Sequence, residues 1–148
     1  MTRLLKMSDA TALGLHAMVY LAERPDGIIT TSEIAACLKA SEAHLSKVLQ
    51  RLAKAGLVKS VRGPKGGFTL TSNSDKTPLL TVYEALEGPF PNLDCLFPTP
   101  ICNNTDCIMG GMLTKLSREI REYLATTMIM HLVKGGDSVI NQKDSTDR

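Results

Sequence analysis

Residues 30–71 constrain the fold most, because two capped helix starts, a glycine stop and a hairpin turn follow one another there. In "TTSEIAACLKA", Thr30 can cap a short helix and Glu33 can complete a capping box. In "SEAHLSKVLQRLAKAGL", Ser41 can cap a second helix and Gly56 favours a left-handed stop. "LVKSVRGPKGGFTLT" then alternates like two short strands around a turn. This order predicts a helix-turn-helix followed by a β-hairpin wing.

Further helices are predicted on both sides of this unit. Apolar residues recur at helical spacing over residues 8–22, and Pro25 and Gly27 end the pattern. "TVYEALEG" predicts a short helix in which Thr81 and Glu84 form another capping box. We therefore predict a mainly α fold with a small β-hairpin wing, that is, a winged helix-turn-helix with a long C-terminal dimerisation helix.

The C-terminal helix is predicted to begin after the cysteines and to extend for about 20 residues with one apolar face. Little chain remains to cover that face, so the matching helix of a second copy would cover it. The predicted interface consists of Met112, Leu113, Leu116, Ile120, Tyr123 and Leu124. The chain then divides into a winged-helix DNA-binding domain, a cysteine loop with the dimerisation helix, and a flexible tail, at residues 1–76, 77–134 and 135–148.

Positive charge is concentrated in the first half of the chain. Residues 1–76 carry 11 Lys and Arg against 6 Asp and Glu, whereas residues 77–148 carry 6 against 9. Cations on the second helix and at the wing tip would attract phosphates, and a helix of this kind fits the major groove. Double-stranded DNA is the predicted partner, and a winged-helix adaptor that binds another protein is the competing interpretation.

Neither a membrane span nor a secretory signal is expected. No apolar run is long enough to cross a bilayer. The first 25 residues are basic and then apolar, but polar residues interrupt them and no small-x-small cleavage pattern follows. We expect a reducing cytoplasm, where clustered thiols favour metal or redox chemistry over structural disulfides.

Several stretches resemble one family of regulators. "LGLHAMVYLA", "AGLVKSVRGPKGGF", "LTVYEALEG" and a three-cysteine loop before a long helix are similar to the IscR/NsrR-type transcriptional regulators of the Rrf-two family. The resemblance spans about residues 5–132. It implies a homodimer that is not an enzyme, with winged helices on palindromic DNA and an iron–sulfur cluster bound by the cysteines.

The resemblance also implies roles for DNA-contacting residues. Arg62 corresponds to a wing arginine that enters the minor groove. The base-reading face of the second helix would carry Ala43, His44, Ser46 and Lys47. The predicted DNA-binding set is completed by Ser41, Arg51 and Lys65. These side chains differ from those of the best-known members, so the operator sequence cannot be transferred.

Three of the four cysteines lie close together in the chain. Cys95, Cys102 and Cys107 are separated by six and four residues, and thiolates are the ordinary ligands of [2Fe–2S] and [4Fe–4S] clusters. One loop cannot enclose a cluster, so a fourth ligand must come from elsewhere. A zinc site, a thiol switch and an inert loop remain alternatives. Cys37, outside the loop, is expected to be a small buried apolar residue.

For the fourth ligand, the resemblance suggests the first helix of the opposite subunit. Ala12 aligns where some members carry Asp or Glu, and alanine cannot bind a metal. His16, one turn later, matches a position where a histidine ligand is known, so it is the predicted fourth ligand. Weaker candidates are Asp9, Asp94 and Asp106.

The function predicted from the sequence is a dimeric DNA-binding regulator, and a repressor is expected. Its operator affinity would be controlled by the cluster, in response to redox state, nitric oxide or cluster supply. The main alternative is a cluster-free repressor that responds to thiol oxidation or a small ligand. A dithiol redox enzyme is disfavoured, because no Cys-x-x-Cys pair begins a helix.

Overall fold

The computed structural model describes residues 7–103 and 106–133. The tail predicted to be flexible, residues 135–148, lies outside the described residues. The described chain is mainly α with one two-stranded hairpin, as predicted. In order, its elements are α1 (Asp9–Ala22), α2 (Thr31–Leu38), α3 (Glu42–Lys54), β1 (Val58–Val61), β2 (Gly67–Leu70), a 3₁₀ turn (Ser74–Lys76), α4 (Leu79–Glu87), α5 (Met112–Thr126) and α6 (Ile129–Val133).

Side-chain caps begin the first three helices, and those at Thr30 and Ser41 were predicted from the sequence. Ser8 caps α1 and Ser41 caps α3, each accepting a backbone N–H with its hydroxyl oxygen. Thr30 and Glu33 form the predicted capping box of α2. Backbone and side-chain hydrogen bonds from Thr30 hold the pKa of Glu33 below its usual value. After α3, Gly56 adopts φ 77°, which is the predicted left-handed stop.

The wing is attached to the helix-turn-helix by backbone pairing. β1 and β2 are antiparallel, with Val58 opposite Leu70. Ile29, just before α2, exchanges both backbone hydrogen bonds with Phe68 at 2.9 and 2.8 Å. A side chain at Gly67 would collide with the Ile29 carbonyl, so this approach requires glycine. The hairpin is thereby fixed relative to the start of α2.

One hydrophobic core passes through both halves of the chain. α1 lies at its centre and packs against α3, α4 and α6. Residues from both sides of position 76 contribute to this core, and the division of the chain at 76 stays a prediction. The largest fully buried side chains are Met18, Leu21, Ile34, Leu45, Leu49, Leu52, Tyr83 and Ile129. None of the helices in the described ranges combines the length and apolarity that crossing a bilayer requires.

α4 begins earlier than predicted. Pro78 is its N-cap residue and gives no side-chain hydrogen bond, so the predicted capping box of Thr81 and Glu84 is wrong. Glu84 Oε1 instead accepts the backbone N–H of Phe90 at 3.3 Å. The start is fixed by distant backbone, because the N–H of Leu79 donates to the Thr127 carbonyl at 2.9 Å.

The same backbone pairing shortens the C-terminal helix. α5 contains 15 residues, fewer than the predicted run, and Thr127 after it is extended. The Ile129 N–H donates to the Thr77 carbonyl at 3.0 Å, which an unbroken helix would not allow. The chain therefore resumes as the separate helix α6, and Ile129 is buried in the core.

Candidate nucleic-acid interface and cysteine loop

α3 separates an apolar face from a polar one. Its buried side chains are Leu45, Val48, Leu49 and Leu52. Of the predicted DNA-binding residues near or on α3, Ser46 is half-buried, and those exposed are Ser41, Ala43, His44, Lys47 and Arg51. No described carboxylate pairs with Lys47. α3 thus presents uncompensated positive charge, which suits it to a phosphate backbone.

The wing tip carries the other predicted cations. Arg62 and Lys65 flank Gly63 and Pro64, and all four are exposed. The turn is closed by the Gly66 N–H, which donates to the Gly63 carbonyl at 2.9 Å. A short, closed tip with two cations can enter a narrow groove with little loss of conformational entropy.

A groove of about 560 Å³ lies between α3 and the wing. Its lining includes Lys47, Gln50 and Lys54 from α3, with Ser60 and Phe68 from the hairpin. Gln50, Lys54 and Ser60 were absent from the predicted DNA-binding set. The spacing of Lys47 and Lys54, two helical turns apart on one face, is the pattern that could have identified Lys54. The groove suits a polyanionic backbone that passes between helix and wing.

Arg51 differs from the other cations of α3. Its guanidinium donates a hydrogen bond to the backbone carbonyl of Leu86, near the end of α4. The residue also lines the groove. A DNA contact by Arg51 therefore stays a prediction, and the side chain already has a partner inside the protein.

The cysteine loop begins at Gly88, and between α4 and α5 the described residues form no helix or strand. Its first residues are nevertheless held. The Phe90 ring lies 5.2 Å from that of Tyr83. Ser117, buried on α5, donates to the Pro91 carbonyl at 3.0 Å and accepts the Leu93 N–H at 3.3 Å. The loop is therefore anchored to α4 and α5 up to two residues before the first cysteine.

Tyr83 stands in an unfavourable environment for ionisation. Burial raises the pKa of Tyr83, and the nearby carboxylates of Glu87 and Glu84 raise it further. The phenol therefore stays neutral at physiological pH, as suits a side chain in the core.

All four cysteines are free thiols. Cys95 and Cys107 are half-buried, and Cys102 is exposed. Cys95 Sγ accepts the backbone N–H of Phe97 at 3.4 Å. Within residues 7–103 and 106–133, no three His, Cys, Asp or Glu side chains lie close enough together to hold a metal ion. The thiols have suitable chemistry for a metal, but the described chain does not bring them together. Cys37 is half-buried on α2.

His16 is an exposed residue of α1. Its Nδ1 lies 2.6 Å from the Ala12 carbonyl oxygen. A carbonyl only accepts, so Nδ1 carries a proton, and this bond selects the tautomer in which the lone pair is on Nε2. The other candidates for a fourth ligand, Asp9, Asp94 and Asp106, are exposed as well.

The predicted interface residues of α5 differ in how far they are buried within the single chain. Leu113 and Leu124 are buried within the single chain. Leu116 and Ile120 are half-buried, while Met112 and Tyr123 are 49% and 57% exposed. Of the described residues, the exposed large apolar side chains between positions 96 and 123 are Leu96, Phe97, Ile101, Ile108, Met112 and Tyr123. Exposed apolar surface of this kind is typical of an interaction site.

A helix-turn-helix, a basic second helix and a cation-tipped hairpin together define a winged-helix DNA-binding protein. A family model described as iron-dependent transcriptional regulator, Rrf2, matches residues 7–135. The chain belongs to this family, which confirms the resemblance drawn from the sequence motifs.

Relatives and solved structures agree with that assignment. The chain is 31% identical to a protein of Aquifex aeolicus named as an HTH-type transcriptional regulator, over 85% of this chain and 90% of the relative. It is 36% identical to BadM of Rhodopseudomonas palustris, over 84% and 76%.

Two solved structures share the fold along most of their length. CymR, the global cysteine regulator of B. subtilis, has 28% identity and a TM-score of 0.72, covering 87% of this chain and 96% of its own. T. potens IscR has 26% identity and a TM-score of 0.69, covering 96% and 94%.

Proposed function

We propose that this chain is a homodimeric, cytoplasmic repressor whose affinity for a palindromic operator is set by an iron–sulfur cluster on the cysteine loop. Residues 1–76 supply the DNA contacts, and residues 77–134 supply the cluster loop and the dimer contact. The observation that carries the proposal is the set of three free thiols on a loop whose base is anchored beside α5.

The donor chemistry suits such a cluster. Cys95, Cys102 and Cys107 would hold it, and when bound it supplies an iron centre that responds to oxidants or nitric oxide. The Phe97 N–H donates to Cys95 Sγ at 3.4 Å, and hydrogen bonds to a ligating sulfur tune the potential of an iron–sulfur cluster. Because the described thiols are not gathered, cluster binding requires the loop to rearrange.

Support for His16 as the fourth ligand comes from its hydrogen bond. A histidine that ligates a metal commonly donates its other ring N–H to a carbonyl, which fixes the tautomer. His16 makes this bond through Nδ1 to Ala12, leaving Nε2 for a metal. The ligand would serve the loop of the partner chain.

His16→Ala is expected to retain part of the cluster and to shift its absorption spectrum. Replacing the imidazole changes the ligand field and charge at one iron. Anaerobic absorption spectra of the variant and the wild type check this. An unchanged spectrum would exclude His16 and direct attention to Asp9, Asp94 and Asp106.

A second candidate is a cluster-free regulator that responds to thiol oxidation or to a small ligand. The exposed Cys102 thiol and the similarity to CymR, the cysteine regulator, favour it. Anaerobic purification followed by iron and sulfide analysis separates the two. Stoichiometric iron with sulfide supports the cluster, whereas a metal-free chain whose operator affinity falls after mild oxidation supports the thiol switch.

Arg62→Ala is expected to weaken operator binding on the order of tenfold, and more at operators with A·T-rich flanks. An arginine in a narrow minor groove gains electrostatic energy that depends on groove width. Fluorescence anisotropy at physiological salt measures the effect. Lys76→Ala, an exposed cation of the 3₁₀ turn away from the wing, is the matched control and should bind normally. Equal affinities for both variants would show that the wing does not contact DNA.

A further inference from the structure

The last turn of α4 is hydrogen-bonded to α3, the proposed recognition helix. The Leu86 carbonyl is one of the final carbonyls of α4, which have no partner within the helix. Arg51 of α3 donates to it. A cation at this end also meets the negative pole of the helix dipole, so the bond is charge-assisted. Arg51 thus joins the DNA-reading helix to α4.

The same turn is bonded to α1. Glu87 Oε1 accepts the Ser8 N–H at 2.8 Å and the hydroxyl of the fully buried Thr11 at 2.6 Å. A carboxylate is favourable at the positive pole of a helix N-terminus. α1 also approaches α4 closely, since a methyl group at Gly14 would collide with Leu86. Two consecutive residues of α4 therefore contact both α3 and α1.

The cysteine loop leaves from this turn. Gly88 follows Glu87 directly, at φ 89°, and the chain then folds back so that Phe90 packs on Tyr83. Tyr83 lies one helical turn before Leu86 on α4. The cysteine loop is therefore connected directly to the turn of α4 that Arg51 contacts.

From these contacts we infer that Leu86 and Glu87 form a joint between the cysteine loop and the recognition helix, with Arg51 as its positioning residue. The inference rests on the proposed function in taking the cysteine loop as the sensing element. Thermodynamic linkage makes the joint reciprocal, so bound DNA must also change the state of the loop. The reactivity of the Cys95 thiol then reports on DNA binding.

The experiment uses the cluster-free chain under anaerobic conditions. Iodoacetamide alkylation of Cys95 is followed by peptide-resolved mass spectrometry, with and without a saturating duplex that the wild-type chain selects from a random pool. Bound duplex is expected to change the wild-type rate at least about fivefold. Arg51→Gln should bind the duplex at saturation yet lose this change. Lys54→Gln, in the same groove without a contact to Leu86, is the matched control and should keep it.

The second variant is Thr11→Val, which removes the hydrogen bond from the Thr11 hydroxyl to Glu87 and leaves the groove unaltered. In this variant, too, bound duplex should change the alkylation rate of Cys95 less than in the wild type. The inference is overturned if the duplex does not change the alkylation rate of Cys95 in the wild type. It is also overturned if Arg51→Gln keeps the full change in rate, because that result would mean that DNA merely shields the thiol. It is equally overturned if Arg51→Gln binds no duplex. A chain that contains no iron when purified anaerobically would refute the proposed cluster. The measured effect of DNA on Cys95 alkylation would still test the joint, because that experiment uses the cluster-free chain.

Discussion

Tyr123→Glu is expected to give a folded monomer that has lost most of its operator affinity. Tyr123 is 57% exposed on α5, so its replacement does not disturb the core. In the proposed dimer, however, a carboxylate at this position would be buried without a partner. Two half-sites are then no longer read together, and affinity should fall about 100-fold or more.

The neighbouring residue provides the matched control. Leu124 is 5% exposed and belongs to the core of the single chain. Leu124→Glu should therefore lower the free energy of unfolding by about 3–5 kcal/mol, because a charge enters an apolar interior. Light scattering gives the oligomeric state, and thermal unfolding gives the stability. A Tyr123→Glu variant that remains dimeric would place the interface elsewhere.

Leu124 also shows what sequence alone could predict about α5. Periodicity identifies an apolar face but does not show which part of it the chain's own core covers. Leu116 and Ile120 are half-buried, so they stay candidates for both roles. The distinction depends on where α4 packs, and no local pattern encodes that.

Elements whose ends depend on local chemistry were predictable. The caps at Thr30 and Ser41 and the stop at Gly56 depend on residues that are close together in the chain, so the sequence alone identified them. The wing was predictable for the same reason, because its turn residues and strands are contiguous.

Elements fixed by distant backbone were not predictable in the same way. The start of α4 and the end of α5 are set by pairing between Thr77–Leu79 and Thr127–Ile129, segments about 50 residues apart in the chain. The candidate site follows the same division. The thiols could be recognised by type and spacing, whereas the bond from Arg51 to Leu86 requires two helices to meet.

Cys95→Ala, Cys102→Ala and Cys107→Ala are each expected to abolish the cluster. A lost thiolate removes a covalent bond to iron, which costs more than the roughly 10–100-fold that outer supporting groups contribute to metal affinity. Iron and sulfide content after anaerobic purification, with the absorption spectrum, measures the loss. Cys37→Ala, a half-buried thiol on α2, is the matched control and should keep full iron content.

Ser117→Ala should have an intermediate effect, because Ser117 hydrogen-bonds to the loop at Pro91 and Leu93 but supplies no thiolate. Its loss should weaken cluster retention within the outer-group range, between the effects of Cys37→Ala and Cys95→Ala. One zinc per chain, lost in the same three loop variants, would instead show a zinc site. If iron survives in any one of them, that cysteine is not a ligand. The three-thiolate assignment then fails, because a loop that offers only two thiolates would need two further ligands from outside it.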